Sequence, residues 1–313
     1  MHNFDVVCVG SVKIDIFLSL HEANKHLRLL PETNELCIKY GEKITVDKGD
    51  VLLGGNAANV SVGLSRLGLK TSILAEIGDD EFSQKITRTL QSENVDISHV
   101  RQTSGQPSSF STIINFKRER TIFSEHVKRK HEFDFENIAT KWVYLTSLGE
   151  EWRNAYRKTL EFVKRSKCRI AFNPGTIQLN EGHKNLSDIL AITDILFLNK
   201  EEAQQALGIP YEVLSIEEMI RSFQKLGTQR VVITDGKNGS YVTDEKGEII
   251  KEGIIEAKIV EKTGAGDAYS SGFLGGIMLG RSIKEAMAFG TKNSASVIGK
   301  IGAQAGLLKQ EEM

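Results

Sequence analysis

Short apolar, β-branched runs alternate along this chain with longer segments whose apolar residues recur at helical spacing. Residues 4–9 (FDVVCV) predict a strand that ends at Gly10-Ser11. Residues 57–67 read as a helix closed by Gly68, 71–77 as the next strand and 81–93 as the next helix. The rhythm continues with strand 142–146, helix 151–165, strands 169–172 and 195–198, helices 201–207 and 216–226, and strand 230–234. Two glycine-punctuated pieces, 240–243 and 249–251, predict a hairpin, and two helices over 264–279 and 283–299 complete the pattern. Strands alternating with helices imply βαβ units and an α/β, doubly wound, mostly parallel sheet with helices on both faces. Such sheets take ligands beyond the carboxyl ends of their strands.

One region breaks the alternation. Residues 13–53 contain no convincing long helix but several short β-prone pieces, such as 14–20 and 35–39, and residues 109–124 (SFSTIINFKRERTIFS) are similar. Together they predict a small antiparallel appendage over the ligand end of the sheet. Because it comes from two separate segments, approximately 13–53 and 109–124, it reads as a lid on one domain spanning 1–313. No repeat or low-complexity tract suggests a linker between modules.

Composition narrows the class of partner. Forty Lys and Arg against 41 Asp and Glu leave a net charge of -1, which offers no field for nucleic acid. The basic runs 117–120 and 128–131 are short, and read as solvated faces or local anion contacts. Three well-separated cysteines, Cys8, Cys37 and Cys168, form no CxxC or zinc spacing and suit a reducing cytoplasm. No basic stretch followed by an apolar core opens the chain, and no window of 18 uncharged apolar residues occurs, so neither a secretory signal nor a membrane partner is expected.

The strongest chemical signal is residues 260–280 (VEKTGAGDAYSSGFLGGIMLG). Thr263 suits a helix start. Gly264, Ala265 and Gly266 let backbone N–H groups approach a ligand, at a helix N-terminus where the dipole favours an anion. Asp267 follows in the first turn, where a carboxylate could accept a proton from an attacking hydroxyl. Phosphoryl transfer needs alignment and charge stabilisation, and this segment offers both. A glycine-rich helix start with a dipole-favoured Asp would look the same, and no GxxxxGK[ST] loop is present. The second signal is residues 54–68 (GGNAANVSVGLSRLG), where Gly54-Gly55 ends the apolar strand piece 51–53 and a small-residue helix follows. Asn56 and Asn59 supply amides suited to hydroxyl groups, although close helix–sheet packing also uses Gly and Ala.

These two segments, about 200 residues apart and in this order, resemble the two signatures of the ribokinase-like (PfkB-type) carbohydrate kinases, and the resemblance covers essentially the whole chain. It implies a doubly wound core with a small β-sheet lid, and transfer of the γ-phosphate of ATP, with magnesium, to an alcohol, often a primary sugar hydroxyl. On the matching positions, Asp267 resembles the base and Gly264, Ala265 and Gly266 the anion hole. Asp15, Gly55 and Asn59 are similar to acceptor-contacting positions. Asn199 and Glu202 resemble the N-x-x-E motif, Asn199 near the nucleotide phosphates and Glu202 organising magnesium through water. Thr234, Gly236 and Gly239 resemble the T-x-G-x-x-G loop that borders ATP, and Asn293 stands where relatives often contact adenine or ribose.

The acceptor stays open. A neutral pentose or hexose ranks first, a sugar acid or sugar phosphate second, and a nucleoside, implying a nucleoside kinase of the same fold, third. Ribokinases carry a Lys where this chain has Asn56. Arg118 and Arg120 could serve an anionic sugar. A non-catalytic sugar-binding regulator on the same scaffold is the alternative from another class, against which stand the filled base, anion-hole and N-x-x-E positions. An Asp-Thr pair often precedes the second signature in relatives and helps bind potassium. Here the pair is Glu261-Lys262, so Glu261 is the candidate ligand for a monovalent cation. A lysine directed into that pocket predicts weak potassium dependence. Family lids often form dimer contacts, so a homodimer is expected if the lid carries an apolar face.

Overall fold

The computed structural model describes every residue except 1, 22–24, 34, 118, 126 and 210–212. Arg118, one of the two candidates for an anionic sugar, therefore lies outside the described residues.

Strand β1 (His2–Val9) leads directly into β2 (Lys13–Ser19), followed by β3 (Leu27–Leu30), β4 (Glu35–Ile38) and β5 (Lys48–Gly54). Helix α1 (Asn56–Arg66), β6 (Thr71–Ile77), α2 (Glu81–Ser92), β7 (Val100–Gln102), β8 (Phe110–Phe116), β9 (Glu119–Ser124) and β10 (Ile138–Thr146) come next. After α3 (Trp152–Ser166) and β11 (Arg169–Asn173) stand three short helices, α4 (Thr176–Asn180), α5 (Gly182–Asn185) and α6 (Ser187–Leu190). The chain continues through β12 (Ile195–Asn199), α7 (Lys200–Leu207), α8 (Ile216–Lys225), β13 (Arg230–Thr234), β14 (Ser240–Thr243), β15 (Ile249–Glu252), α9 (Ala265–Met278) and α10 (Ile283–Val297).

The main sheet runs β15-β14-β13-β12-β11-β10-β1-β6-β7. Its pairings are parallel from β12–β13 across to β7, and the β13–β14–β15 end is antiparallel. Because successive strand residues point to opposite faces, each parallel strand feeds two cores. In β1, Val6 and Cys8 join the core beneath α1, α9 and α10, while Val7 and Val9 join the one beneath α3, α7 and α8. The chain reverses the order of its strands where β10 and β6 leave β1 on opposite sides, and the carboxyl end of β1 is thereby the topological crevice of the fold.

Over that crevice lies a four-stranded sheet in the order β5-β2-β8-β9, and β3 pairs with β4 as a separate hairpin. The expected lid was antiparallel throughout. Its outer pairings are, but the central β2–β8 pairing is parallel. Both strands leave the core just after strands of the parallel sheet, β2 after β1 and β8 after β7, so they start in the same direction. Two further elements were not legible. β7 is only three residues at the sheet edge, too short for a period of two to register. Residues 176–190 fold as single helical turns held by tertiary contacts, such as Gln178 Nε2 donating to Leu148 O at 3.0 Å.

Helix α9 lies directly against α1. A Cβ on Gly63 would stand 2.4 Å from Ser271 Oγ, so only glycine permits this approach. The end of α1 is clamped by Arg66. Its Nε and one terminal nitrogen donate to both oxygens of Glu93 (2.8 and 2.7 Å), and the other terminal nitrogen to the carbonyls of Gln304 and Leu307 (2.9 and 2.8 Å). One side chain thus ties α1 to the α2 end and to the C-terminal segment that carries Gln304. Arg66→Ala would leave those partly buried acceptors without a donor, and should lower stability by about 2–3 kcal/mol. Denaturant unfolding with an unchanged m-value checks this.

Candidate active site

Asp267 is 7% exposed, in the first turn of α9. Its carboxylate is gripped by the amides that open α1: Asn59 Nδ2 donates to Oδ2 at 2.8 Å, and Asn56 Nδ2 to Oδ1 at 3.1 Å. Each amide is oriented in turn. Ser147 Oγ donates to Asn56 Oδ1 at 2.9 Å, and Gln304 Nε2 to Asn59 Oδ1 at 3.0 Å. The two asparagines read from the sequence as hydroxyl ligands therefore spend their side chains chiefly on Asp267. Burial is the main cause that lifts the Asp267 carboxyl to about 6, opposed by the Asn59 and Asn56 hydrogen bonds, with Asp15 raising it further and Lys13 lowering it.

The three residues before Asp267 form the turn the sequence suggested. Gly264 caps α9 at φ 81°, in the left-handed region, and a Cβ there would stand 2.3 Å from the Ala303 Cβ. Any other residue would be strained by conformation and by contact. Ala265 and Gly266 follow as the first helical residues, whose N–H groups have no carbonyl one turn earlier within the helix. Gly266 is exposed, and a Cβ on it would meet nothing within 4 Å, so this edge of the turn faces open space.

Asp15, on β2, is 5% exposed and lies over Gly54, where a Cβ would stand 2.0 Å from a carboxylate oxygen. Burial again dominates its rise to about 6, against the lowering by Lys13 and by a hydrogen bond from Ser111, with Glu261 raising it. Gly55, at φ 94°, caps α1, and its carbonyl accepts the Asn59 N–H at 2.9 Å. Asp15, Gly55, Asn59, Gly264, Ala265, Gly266 and Asp267, scattered over 250 residues of chain, thus converge on the β1 crevice.

The candidate nucleotide residues occupy the neighbouring strand ends. Asn199 and Thr234 are cross-strand partners at the ends of β12 and β13. Asn199 and Glu202 form a reciprocal capping box, each side chain bonding the other's backbone N–H at 2.8 Å. The Glu202 carboxyl is raised to about 7, first by burial, with its hydrogen bond to the Asn199 N–H lowering it and Asp267 among the charges raising it. Gly236 and Gly239 (φ 48° and 90°) shape the turn after β13, closed by Asp235 N donating to Gly239 O at 2.8 Å. Asn293 does not join them. It is fully buried, its Nδ2 donating to Ala268 O (2.8 Å) and Ser271 Oγ (3.2 Å), and its Oδ1 accepting from Leu308 N (2.9 Å). The polar helix residue, expected to contact the nucleotide, braces α9 against α10 and the C-terminal segment.

Glu261 is 3% exposed. Its Oε1 accepts from Thr263 N and Thr263 Oγ1 (2.7 and 2.6 Å) and faces Arg120 Nε of β9 at 3.6 Å, while Oε2 is buried without a hydrogen-bond partner. The expectation that Lys262 points into this pocket is also corrected, because its ammonium reaches the lid and pairs with Glu119. A guanidinium already meets the Glu261 charge, and only one buried oxygen remains for an ion. These residues fit an ion pair better than a potassium cage. A cavity of about 160 Å³ adjoins them, lined in part by Asn115, Lys117 and Arg120. A larger one, about 750 Å³, opens between Glu76, Arg101 and Arg153 and is lined by Lys128, Arg129 and Lys130 of the basic run 128–131, but by none of the candidate catalytic, acceptor or nucleotide residues.

Comparison with known proteins agrees with this geometry. Residues 4–310 match the model of the pfkB family carbohydrate kinases. The chain belongs to that family. It is 24% identical to an ATP-dependent 6-phosphofructokinase of Thermoanaerobacterium thermosaccharolyticum, over 96% of this chain and 89% of that one. It is 27% identical to a ribokinase of Haemophilus influenzae, over 88% of this chain and 90% of the relative. Its fold superimposes on the nucleoside kinase of Methanocaldococcus jannaschii, a ribokinase-family member, with a TM-score of 0.79 at 22% identity, covering 100% of this chain and 96% of that one. The α/β core with its small β-lid is thus the ribokinase-like fold, and the protein is a carbohydrate kinase. Among its described residues no helix is long and apolar enough to cross a membrane.

Sequence reasoning missed Lys13, Ser147 and Gln304. Lys13 carried a signal, since it stands two residues before Asp15 on one strand and so shares its face. Ser147 and Gln304 carried none.

The raised carboxyls make a pH prediction for the ligand-free kinase. Asp267 has a folded value of about 6 against an ordinary 3.8, so the folded chain keeps a proton that the unfolded chain has released. The associated stability is complete below about pH 4 and is lost as pH rises through about 6. Asp267→Asn removes this dependence. Relative to wild type, the variant should gain on the order of 1–3 kcal/mol between pH 4.5 and 7.5, read from paired denaturant titrations.

Proposed function

We propose that this kinase transfers the γ-phosphoryl group of ATP to an alcohol, a primary hydroxyl of a small neutral sugar, with Asp267 as the base. One observation carries the reading: a buried carboxylate, aimed by two oriented amides, stands one residue beyond the glycine turn that opens a helix N-terminus. The acceptor oxygen attacks the γ-phosphorus and its proton passes to Asp267. The bond from that phosphorus to the bridging oxygen breaks, and ADP leaves. The Gly264, Ala265 and Gly266 backbone receives the charge that develops on the transferring group. Asp15, over Gly54, accepts hydrogen bonds from the sugar's other hydroxyls, beside Gly55 and Asn59.

ATP is supported by the ATP-dependent phosphofructokinase among the chain's relatives. Asn199, Thr234, Gly236 and Gly239 are the nucleotide side of this reading. Among the described residues no group of three or more carboxylate, His or Cys side chains could hold a metal by itself. That suits magnesium bound through water at Glu202 and through nucleotide phosphates, where it neutralises phosphate charge. In the same reading residues 1–313 form one kinase unit with the lid at 13–53 and 109–124, working in the cytoplasm with its three cysteines unpaired. One cross-strand row of the lid carries Val51, Ile16, Thr112 and Phe123; Ile16 packs against the core, while Val51 and Phe123 stay exposed, which supports a homodimer through the lid.

A screen of sugars, sugar acids, sugar phosphates and nucleosides for ADP release, with and without magnesium, identifies the acceptor class. No turnover of any alcohol would favour a sugar-binding regulator. With the acceptor in hand, Asp267→Asn should lower kcat by about 10²–10⁴-fold with little change in ATP affinity, and retention of more than about a tenth of wild-type kcat would refute the base. Because Arg120 already faces Glu261, potassium chloride titrated at constant ionic strength into a buffer of bulky organic cation should activate by less than about tenfold, which is about 1.4 kcal/mol. Larger activation saturating at millimolar potassium would show a working cation site.

A further inference from the structure

Asp267 is held through a hydrogen-bonded row that has a direction, and the row ends on the C-terminal segment. An ionised carboxylate only accepts hydrogen bonds, whereas a side-chain amide carries N–H groups at one end and a carbonyl at the other. Asn59 is 4% exposed and its Nδ2 donates to Asp267 Oδ2 at 2.8 Å, so its carbonyl end is turned away from the carboxylate. A buried carbonyl left without a donor is destabilising. Gln304 Nε2 supplies that donor, at 3.0 Å from Asn59 Oδ1. The second grip on Asp267 lacks this direction. Asn56 Oδ1 is met by Ser147 Oγ at 2.9 Å, and a hydroxyl can donate or accept, so it serves the amide either way round. Ser147 itself lies 3.0 Å from a further hydroxyl, Ser11 Oγ.

The segment that carries Gln304 is fixed from three sides. Arg66 of α1 donates to the carbonyls of Gln304 and Leu307 at 2.9 and 2.8 Å, and Asn293 of α10 accepts from Leu308 N at 2.9 Å. Ala303 packs so closely on Gly264 that a Cβ there would stand 2.3 Å from its own. Gln304 is 9% exposed, and its side chain is kept out of water. Residue 303 thus braces the turn that opens α9, while residue 304 meets the amide that holds the carboxylate one turn further on.

We propose that Gln304 is a positioning residue for Asp267: by donating to Asn59 Oδ1 it keeps the Asn59 N–H end turned toward the carboxylate, and so keeps the proton-accepting group aimed into the cleft. This role rests on the reading of Asp267 as the base. It requires an amide and not merely a side chain of this size. A glutamate has the same shape, but ionised it only accepts, and one amide cannot turn its N–H end to two carboxylates on opposite sides. In a Gln304→Glu chain either the new carboxylate or Asp267 loses its donor.

The test uses the whole chain and two readouts, one of them independent of turnover. Denaturant unfolding at neutral pH compares Gln304→Glu in the wild-type background and in Asp267→Asn. With the aspartate present, the substitution should lower the unfolding midpoint. In the Asp267→Asn background the new carboxamide can offer its own N–H to a turned Asn59, and most of that shift should vanish. The second readout is steady-state turnover with the acceptor found by the screen. Gln304→Met, which removes the donor and adds no charge, should lower kcat about tenfold, and Gln304→Glu about a hundredfold, with the KM for ATP changed by less than about twofold in both. The proposal is overturned if both variants, folded by the unfolding assay, keep kcat within about twofold of wild type. It is equally overturned if the KM for ATP rises as kcat falls, which marks a general loss of the site, or if Gln304→Glu shifts the midpoint as far in Asp267→Asn as in wild type. Failure of the base reading looks different: Asp267→Asn would then keep its turnover, while the background dependence of the midpoint still supported the directed row.

Discussion

The grip of Asn59 and Asn56 on the Asp267 carboxylate is the constraint around which the rest of the site is arranged. It joins the first turn of α1 to the first turn of α9, residues 208 and 211 positions apart in sequence. Both helix N-termini meet at this carboxylate, and their dipoles favour the negative charge that stands there. For that meeting to occur, α9 must lie close along α1, which the missing side chain at Gly63 allows. Ser147 and Gln304 then fix the amides, and Arg66 fixes the segment that brings Gln304 in.

The site works against its own stability. Asp15, Glu202 and Asp267 are carboxyls whose charged forms are disfavoured by burial, and each is pushed upward for that reason first. A fold selected only for stability would replace them with apolar groups or leave them in water. Their retention in one crevice is the physical mark of a site prepared for charge that arrives with ligand and moves during reaction. The same logic distinguishes the crevice from Asn293, a buried polar residue whose partners satisfy it completely and which serves as a brace.

The lid is tied to the chemistry by crossed ion pairs. Glu119 and Arg120 of β9 meet Lys262 and Glu261 of the loop before α9, each acidic partner with the opposite basic one. The exposed Lys262 pair contributes little by itself. The Arg120–Glu261 pair is largely withdrawn from water, and so couples the position of β9 to that of the turn that opens α9.

The sequence by itself determined the layered fold and the chemical kind of the site. Buried parallel strands read as continuous apolar runs, amphipathic helices as periodic ones, and both patterns are local, so the longer elements of the parallel core were legible within a residue or two at most ends. The Thr-Gly-Ala-Gly-Asp turn was legible because a helix start is set by neighbours in the chain. What only the tertiary structure decided was where long-range contacts spend side-chain atoms. Asn56 and Asn59 hold the Asp267 carboxylate, Asn293 braces α9 against α10, and Lys262 turns toward Glu119, leaving Glu261 to Arg120. β7 and the short helices α4–α6 escaped because single turns and three-residue edge strands take their stability from packing. A hydrogen bond between residues two hundred positions apart leaves no period and no spacing in the chain, and exists only once the helices that carry its two ends are packed together.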